Sequence, residues 1–348
     1  MNVKHVLISL VVIGSLAGCN APPQPSDVTP EATAPLSGTI AIDGSNTLLP
    51  VSQQIVDAFS RENPGVHVSL AGSGSVAGFN KLCAGELDIS DASRPIDKSE
   101  LDACAAKGIE LIELPLGFDA LTVVVNARNS SVDCLTVGEL KKLWEPEAQG
   151  KVASWNQVRA GLPAAPVPLF GPGTESGTFD YFTLAIVGAS GRSRTDYTHS
   201  GDDNVLVRGV ANDPNALGYF GYAYYAAHKD TLKAVSIDAG KGCVAPGADT
   251  VLNNTYQPLS RPLFIYVKKA SAERPEVRAL VRAYTDPATT QLVKKVGYLP
   301  LPLATTLRVG QRFEDGTTGS VFGGSGAVLG ITAAAFKDDD KIRNALVQ

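Results

Sequence analysis

From residue 38 onward, short apolar segments typical of buried strands alternate with longer amphipathic segments typical of helices. Strands are predicted at 38–43, 66–70, 88–90, 109–115, 121–126, 169–170 and 263–267. Helices are predicted at 49–62, 76–84, 98–107, 137–144, 178–187, 219–228, 275–284 and, within a tail from residue 303 that carries little other pattern, 331–346. This alternation indicates an α/β fold with mostly parallel sheets, in which ligands bind beyond the carboxyl ends of the strands.

Length and charge narrow the possible architectures and partners. A folded region of roughly 310 residues is too long for one ordinary core and suggests two lobes. The net charge of −5 argues against non-specific binding of nucleic acid. It does not argue against a small anion, since anion sites depend on local donors and dipoles.

The first residues have the pattern of an export signal. Lys4 precedes an apolar run at 6–18, which is too short to span a bilayer but long enough for the core of a signal peptide. The run ends in Leu16-Ala17-Gly18-Cys19, which resembles the bacterial lipobox. That resemblance implies a signal peptide over 1–18 and a lipid on Cys19; the alternative is an ordinary signal peptide with a chance cysteine.

A proline-rich segment follows Cys19. Residues 19–36 contain five prolines and almost no large apolar side chains. Such a segment cannot bury enough surface to fold, so it predicts an extended tether between the membrane anchor and the folded region.

Four further cysteines indicate an oxidising compartment. An even number of cysteines in an exported chain predicts two disulfides, and four cysteines allow three pairings. We favour one short and one long loop, Cys83–Cys104 and Cys134–Cys243; free buried thiols are the alternative. A metal site is not expected, because no Cys-x-x-Cys or neighbouring histidine pair is present.

Three loops rich in glycine and hydroxyl side chains lie between a predicted strand and a predicted helix. They span 44–48 (GSNTL), 72–78 (GSGSVAG) and 171–178 (GPGTESGT). Hydroxyls and free N–H groups at a helix start can coordinate an oxyanion, and glycine lets the backbone approach a ligand closely. Each loop alone could be a plain helix cap or turn, but three in one chain favour an anion site.

Other chemistries match these loops poorly. A dinucleotide fingerprint requires a third glycine at position 77 of the second loop, and that glycine is missing. Neither glycine-rich loop contains the Gly-Lys-Ser/Thr of a P-loop. A serine nucleophile would need a histidine base. Of His67, His199 and His228, only His199 is a candidate, so a secreted phosphatase that uses His199 remains a rival hypothesis.

The three loops, the segment CAGELDISDASRPI at 83–96 and the segments GDDNVLV at 201–207 and LGYFGYAYY at 217–225 together resemble the PstS family of phosphate-binding proteins, in its SphX-like branch. The resemblance implies a two-lobed periplasmic binding protein of type II topology with the ligand in the interlobe cleft. The lobes are then 37–118 with 256–348, which includes the C-terminal tail, and 119–255.

The resemblance also implies a function that is not enzymatic. A lipid-anchored protein of the cell envelope would capture inorganic phosphate and deliver it to the permease of an ABC importer, with no cofactor. A different oxyanion such as sulfate is the alternative ligand. Lobe closure around the anion would separate the loaded from the empty form.

Residue by residue, the resemblance implies phosphate contacts in all three loops: Ser45, Thr47, Leu48, Ser75, Ser176, Gly177 and Thr178. Two family features do not carry over. The family's acidic acceptor falls at or beside Ser93 and Arg94, and the family's arginine falls at Pro172.

We therefore expect Arg94, together with Ser93, to contact the anion, with a structural salt bridge as the alternative role of Arg94. Arg194 is the second candidate for the cation. Asp91, Asp180, Asp202 and Asp203 are candidate acceptors for the proton of phosphate, and Asp203 is retained as a possible additional ligand.

Overall fold

The computed structural model describes residues 35–331 of the 348-residue chain. The predicted signal peptide, the predicted lipidation site Cys19, most of the tether and all but the first residue of the predicted helix 331–346 lie outside the described residues. Among the described residues, no helix has both the length and the apolar character needed to cross a membrane.

Strands and helices alternate as the sequence predicts up to residue 106, whereas consecutive strands and consecutive helices also occur after it. The strands are β1 Gly38–Gly44, β2 Val66–Leu70, β3 Ile89–Ala92, β4 Leu111–Ala120, β5 Thr122–Asn126, β6 Cys134–Thr136, β7 Leu169–Gly171, β8 Thr198–His199, β9 Leu217–Phe220, β10 Leu232–Ala234, β11 Ser236–Asp238, β12 Cys243–Val244, β13 Ser260–Lys268 and β14 Leu299–Pro300. The helices are α1 Leu49–Glu62, α2 Ser75–Cys83, α3 Lys98–Ala106, α4 Val137–Trp144, α5 Trp155–Val158, α6 Gly177–Phe182, α7 Asp203–Asn212, α8 Tyr222–Ala227, α9 Ala248–Leu252, α10 Lys269–Ala272, α11 Pro275–Thr285, α12 Thr290–Lys295 and α13 Leu303–Glu314.

Three predictions of local structure need correction. The predicted helix 219–228 begins too early, because Tyr219 and Phe220 are the end of β9 and pair with β5. The sequence pattern did not predict α7, which begins after the capping residue Asp202, or α13, which lies in the tail from residue 303. In the predicted helix 178–187, regular α-helix ends at Phe182 and a π-helical turn continues to Val187.

The larger sheet has six strands in the order β14-β4-β13-β3-β1-β2. Strands β1, β2 and β3 are parallel, whereas β13 is antiparallel to both of its neighbours, β3 and β4. The expectation of mostly parallel sheets is therefore wrong, and the sheet is mixed. The insertion of the late strand β13 between β3 and β4 agrees with the type II topology predicted for the fold.

The second sheet has five strands in the order β10-β5-β9-β7-β8, and a small third sheet has the order β12-β11-β6. The second sheet is also mixed, because β7 is parallel to both β8 and β9, whereas β5 is antiparallel to β9 and β10. These two sheets contain the strands from β5 to β12, and the six-stranded sheet contains those before and after. The predicted lobe boundaries near 118 and 255 stay a prediction, and this distribution of strands supports them.

The two long strands β4 and β13 form the centre of the core. Nearly all of their residues are buried, as expected for strands covered on both faces, and their pairing extends from Ser260 opposite Ala120 to Lys268 opposite Leu111. Charged residues within such strands are exceptional, because a buried charge needs a partner. Arg261 and Asp119 are charged residues of this kind, and they lie directly opposite each other.

Both predicted disulfides are confirmed. Cys83 is bonded to Cys104, and Cys134 to Cys243. The first joins α2 to α3, and the second joins β6 to β12 at the edge strands of the small sheet. The two bonds close loops of very different length, because the cysteines are 21 residues apart in the first pair and 109 in the second.

The difference in loop length leads to a prediction about stability. Cross-linking stabilises a fold mainly by restricting the unfolded chain, by about 3 kcal/mol for a short loop and about 5 kcal/mol for a loop of a hundred residues. The double variant Cys134→Ser/Cys243→Ser should therefore unfold at a lower urea concentration than Cys83→Ser/Cys104→Ser. Circular dichroism during urea titration measures both midpoints. The reverse order would show that loop entropy does not govern these bonds.

Candidate functional site

The first predicted loop connects β1 to α1 and is buried. Ser45 and Thr47 are both inaccessible to solvent, and the Ser45 N–H donates to the carbonyl of Asp91 on β3 at 2.9 Å. The N–H of Leu48, predicted to contact the anion, donates instead to the carbonyl of Ser45 at 3.1 Å. The hydroxyls of this loop are therefore better placed than the Leu48 amide to contact a ligand.

The carboxylate of Asp43 connects the first loop to the second. Its Oδ1 accepts from the Gly44 N–H at 2.7 Å and from the N–H and hydroxyl of Ser73 at 2.9 and 2.8 Å. Its Oδ2 forms an ion pair with Lys81. Partial burial acts to raise the pKa of Asp43, but the hydrogen bonds from Lys81, Ser73 and Gly44 outweigh burial and lower the pKa. Asp43 thus remains charged and holds the two loops together.

The second and third loops meet where Gly177 begins α6. The Ser93 N–H donates to the Ser75 hydroxyl at 3.1 Å, and the two hydroxyl oxygens are 3.3 Å apart. A Cβ on Gly177 would lie 2.5 Å from the Ser75 oxygen and 2.8 Å from the Ser93 oxygen. Only glycine can occupy this position without displacing both serines. The close contact of Ser75, Ser93 and residue 177 therefore depends on glycine at position 177.

The third loop also contacts the first. The hydroxyl oxygens of Thr178 and Thr47 are 3.1 Å apart, and both residues are buried. Ser176 caps α6, since its hydroxyl accepts from the Thr178 N–H at 3.1 Å. The structure therefore brings the hydroxyl-rich residues of all three loops together, from both the six-stranded and the five-stranded sheet.

Arg261, at the start of β13, supplies a buried cation that the sequence did not reveal. Its Nε and Nη2 donate to Oδ2 of Asp119 at 3.0 and 2.8 Å, and Nη2 also donates to the Thr47 hydroxyl at 3.0 Å. Its Nη1 is fully buried and has no hydrogen-bond partner among the described residues. The guanidinium therefore has donors to spare, directly beside the Thr47–Thr178 contact.

Asp203, the first residue of α7, is a buried acid close to this arginine. Within residues 35–331, its carboxylate has no hydrogen-bond partner. Burial raises the pKa of Asp203 to about 7; Arg261 opposes this shift, whereas Asp119 and Asp202 add to it. A carboxyl with this pKa can accept or donate a proton near neutral pH.

Arg94 has the contacts of a structural salt bridge rather than those expected of an anion ligand. Its Nη1 and Nη2 donate to the two carboxylate oxygens of Glu100 at 2.9 and 2.7 Å. Its Nε donates to Asp180 at 2.8 Å, and Nη1 also donates to the Pro95 carbonyl at 3.0 Å. Two carboxylates already balance this cation, which favours the salt-bridge alternative left open by the sequence.

Arg194, the second predicted cation, is likewise fully engaged. Its Nε and Nη2 donate to the carboxylate of Asp196 at 2.6 and 2.8 Å, and Nη1 donates to the backbone carbonyls of Leu143 and Val152. The hydrogen bonds from Arg194 lower the pKa of Asp196 to about 2. These contacts tie the segment after α6 to α4 and do not direct Arg194 to the three loops.

The other candidate acceptors have partners of their own. Asp180 pairs with Arg94, and the Asp202 carboxylate accepts from the Asn204 N–H at 2.9 Å as the cap of α7. The Asp91 side chain points toward α1, where its Oδ2 accepts from the Ser52 hydroxyl at 2.6 Å. The other oxygen of Asp91, Oδ1, is buried without a hydrogen-bond partner among the described residues, but of the buried candidates Asp203 is the one whose pKa is influenced by the charge of Arg261.

The geometry does not favour hydrolysis at His199. The residue is exposed, and within the described range its imidazole makes no hydrogen bond with a serine. It lines a small cavity of about 210 Å³ with Glu175, Arg194 and Tyr197. The described residues contain no cluster of three or more His, Cys, Asp or Glu side chains that could hold a metal ion.

Arg261 and Asp119 are the residues of the site that sequence reasoning missed. The predicted strand 263–267 stopped short of Arg261, and Asp119 lay between two predicted strands. A signal was nevertheless present, since Asp119 and Arg261 are residues of opposite charge that lie next to predominantly apolar segments. Such residues are rarely buried unless they pair.

Comparisons with known proteins agree with the fold. Residues 29–286 match the family model described as a PBP superfamily domain. Protein SphX of Synechocystis sp. is 46% identical over 309 residues, which cover 88% of this chain and 90% of that protein. Phosphate-binding protein PstS of Staphylococcus haemolyticus is 32% identical, covering 77% and 82% respectively. The crystal structure of a possible phosphate binding protein from Planctomyces limnophilus superposes with a TM-score of 0.61 at 44% identity, covering 81% of this chain and 99% of that one.

The buried carboxyl of Asp91 leads to a prediction about pH. Burial raises its pKa to about 7, a hydrogen bond from Ser52 opposes the shift, and Asp43 adds to it. A carboxyl whose pKa is higher in the folded than in the unfolded chain stabilises the fold below its unfolded pKa, and this stability is lost as the pH rises through about 7.

Between pH 5.5 and 8.5, ionisation of Asp91 should lower the free energy of unfolding by about 2 kcal/mol, and Asp91→Asn should remove that part of the decline. Thermal unfolding at a series of pH values measures the effect. Asp57→Asn, on the exposed face of α1, is the control and should keep the wild-type pH dependence. An equal decline in Asp91→Asn and wild type would show that Asp91 does not ionise in this range.

Proposed function

We propose, on the premise that this chain belongs to the PBP superfamily and to the PstS and SphX family of phosphate-binding proteins within it, that it captures inorganic phosphate and hands it to an ABC importer. The observation that carries the proposal is the free Nη1 of the buried Arg261. A buried guanidinium with spare donors, beside clustered hydroxyls, is suited to an oxyanion. Phosphate would be bound and released unchanged.

The ligand set that we propose differs in part from the one expected from sequence. Arg261 replaces Arg94 as the cation, Thr47 supplies a hydroxyl in contact with it, and Thr178 supplies a second hydroxyl in contact with that of Thr47. Ser75, Ser93 and Gly177 contact one another and form the adjoining wall of the proposed site. Ser45 in the first loop and Ser176 in the third loop complete the proposed set. Leu48 and Arg194 would not contact the anion. Leu48 stabilises the turn of the first loop, and Arg194 stabilises the fold around the site.

Asp203 is the proposed acceptor for the proton of phosphate. Monohydrogen phosphate can donate a hydrogen bond to an ionised carboxylate, whereas sulfate has no proton and would meet it with repulsion. A buried group that needs a specific partner rejects a ligand that lacks it. Because the pKa of Asp203 is about 7, this selection should weaken as the pH falls.

Lobe closure is the proposed mechanism of delivery. Ser45, Thr47, Ser75, Ser93 and Arg261 belong to the side of the six-stranded sheet, and Ser176, Gly177, Thr178 and Asp203 to the side of the five-stranded sheet. An anion that contacts both sides would favour the closed arrangement by as much as its affinities for the two arrangements differ. The closed form would then bind the permease.

The location that we propose follows from the first residues of the chain. Cleavage before Cys19 and lipid attachment there would hold the protein at the outer side of a membrane, because acyl chains bind at about 0.8 kcal/mol per buried CH₂. The proline-rich tether would let the folded region reach the permease. Labelling of cells with a radioactive fatty acid, compared between wild type and Cys19→Ala, tests the anchor.

The first test of the function is a calorimetric titration of the purified chain with phosphate and with sulfate. Wild type should bind phosphate, and Arg261→Lys should bind it about 10- to 100-fold more weakly, because a lysine keeps the charge but loses the free Nη1 donor. Arg194→Lys is the matched control, since it is also a buried arginine paired with an aspartate, and its affinity should not change. Absence of phosphate binding by the wild type would refute the proposed function.

The second test examines Asp203. In the wild type, the ratio of phosphate to sulfate affinity should be largest at pH 8 and should fall through about pH 7, because protonated Asp203 can donate to sulfate. Asp203→Asn should bind sulfate about a hundredfold more tightly than wild type at pH 8 and lose the pH dependence, since the like charge is gone. If the ratio in the variant still follows pH as in the wild type, Asp203 is not the acceptor.

A further inference from the structure

Arg94 links the two sides of the candidate site through a buried triad of charges. Arg94 and its bidentate partner Glu100 follow β3 of the six-stranded sheet, whereas Asp180 lies in α6. The side chains of Arg94, Glu100 and Asp180 are only 4%, 9% and 15% exposed. Removal of one partner from an ion pair this buried strongly destabilises the fold, because the remaining charge loses its compensation.

Glu100 fixes the position of Arg94. Asp97 and Glu100 form a capping box at the start of α3: the Asp97 carboxylate accepts from the Glu100 N–H at 2.8 Å, and the Glu100 carboxylate accepts from the Asp97 N–H at 2.9 Å. The pKa of Arg94 agrees with this arrangement. Burial acts to lower this pKa, but the hydrogen bonds and charges of Glu100 and Asp180 outweigh burial and raise it. The cation is thus preset on one side, with Nε left to reach across.

Asp180 belongs to the helix that begins with the third loop. Its N–H donates to the Ser176 carbonyl at 3.1 Å, so it lies one turn after the cap of α6. Next to it, the Val76 N–H donates to the Glu175 carbonyl at 3.0 Å, again across the two sides. The Arg94–Asp180 pair therefore holds the turn of α6 that carries Gly177 and Thr178.

We propose that Arg94 is a positioning residue that clamps α6 against the six-stranded side through Asp180 and so slows the release of bound phosphate. The inference rests on the proposed function for its ligand. Arg94 has two effects here: it closes the contact, and it neutralises a carboxylate one helical turn from the anion. Loss of Arg94 should consequently harm binding more than loss of Asp180, which removes the contact and the unfavourable charge together.

The chain contains a matched control pair. Arg194 and Asp196 are also a buried arginine and its aspartate, but they belong to the segment after α6 and do not join the two sides of the site. A groove of about 610 Å³, lined by Arg94, Asp97, Glu100 and Asp180 among others, adjoins the clamp. Dissolved ions can enter this groove, so high salt should weaken the clamp.

The experiment measures release of radiolabelled inorganic phosphate from the full-length chain after a chase with unlabelled phosphate. Asp180→Asn should release phosphate about tenfold faster than wild type, with an association rate within about twofold, because breaking a buried charge pair acts mainly on dissociation. Arg94→Gln should release it faster still, and Arg94→Gln/Asp180→Asn should recover part of that loss. Asp196→Asn should match wild type.

A second measurement separates the clamp from the ligand. Small-angle X-ray scattering of the phosphate-free chain should give a larger radius of gyration for Asp180→Asn than for wild type and Asp196→Asn, and high salt should reduce that difference. If Arg94→Gln does not fold, Arg94→Lys, which can still reach a carboxylate, should show release intermediate between wild type and Asp180→Asn.

The outcomes are distinct. Release rates for Asp180→Asn equal to those of Asp196→Asn, together with equal radii of gyration, would overturn the clamp while leaving phosphate binding intact. Failure of the wild type to bind phosphate would refute the proposed function, and the scattering comparison would then decide on the clamp alone. A double variant no better than Arg94→Gln would refute the neutralising effect of Arg94.

Discussion

The buried ion pair between Arg261 and Asp119 organises this molecule. The two residues are opposite each other on β13 and β4, and neither side chain is accessible to solvent. Two charges removed from water are costly unless further hydrogen bonds compensate them. The Tyr222 N–H provides one by donating to Oδ1 of Asp119 at 3.0 Å, and the Thr47 hydroxyl accepts another from Arg261. The pair thus connects the central strands to the first loop and to the start of α8.

The same pair explains why the site lies where the two sheets meet. Thr47 is fixed further by Tyr298, whose hydroxyl donates to the Thr47 carbonyl at 2.5 Å, and Tyr181 donates to the Ser260 carbonyl at 2.6 Å next to Arg261. Each contact joins backbone near the arginine to an element distant in sequence. Such preorganisation lets a buried cation keep one donor free without collapse of its surroundings.

The sequence predicted local chemistry better than long-range partners. The three loops could be found because glycine and hydroxyl residues between a strand and a helix have a local meaning. The contact of Arg94 with Asp180 could not be predicted, because the two residues are 86 apart in sequence and only the packing of α6 brings them together. Likewise, Arg261 and Asp119 are 142 residues apart, and only the register of β13 on β4 makes them neighbours. The start of α8 was misplaced because Tyr219 and Phe220 have apolar spacing compatible with either structure, and pairing with β5 decided the outcome.

The balance of charge around Arg261 also bears on how an acidic chain can hold an anion. Asp119 neutralises Arg261, so the buried cluster of Arg261, Asp119 and Asp203 has a net charge of zero when Asp203 is protonated and is negative when Asp203 is ionised. Coulomb attraction by a net positive site therefore cannot be the main source of affinity. In the proposed ligand set, hydrogen-bond donors with fixed directions would supply it, namely the free Nη1 and the hydroxyls of Thr47 and Thr178. A site built in this way distinguishes ligands by where their protons are rather than by how much charge they carry.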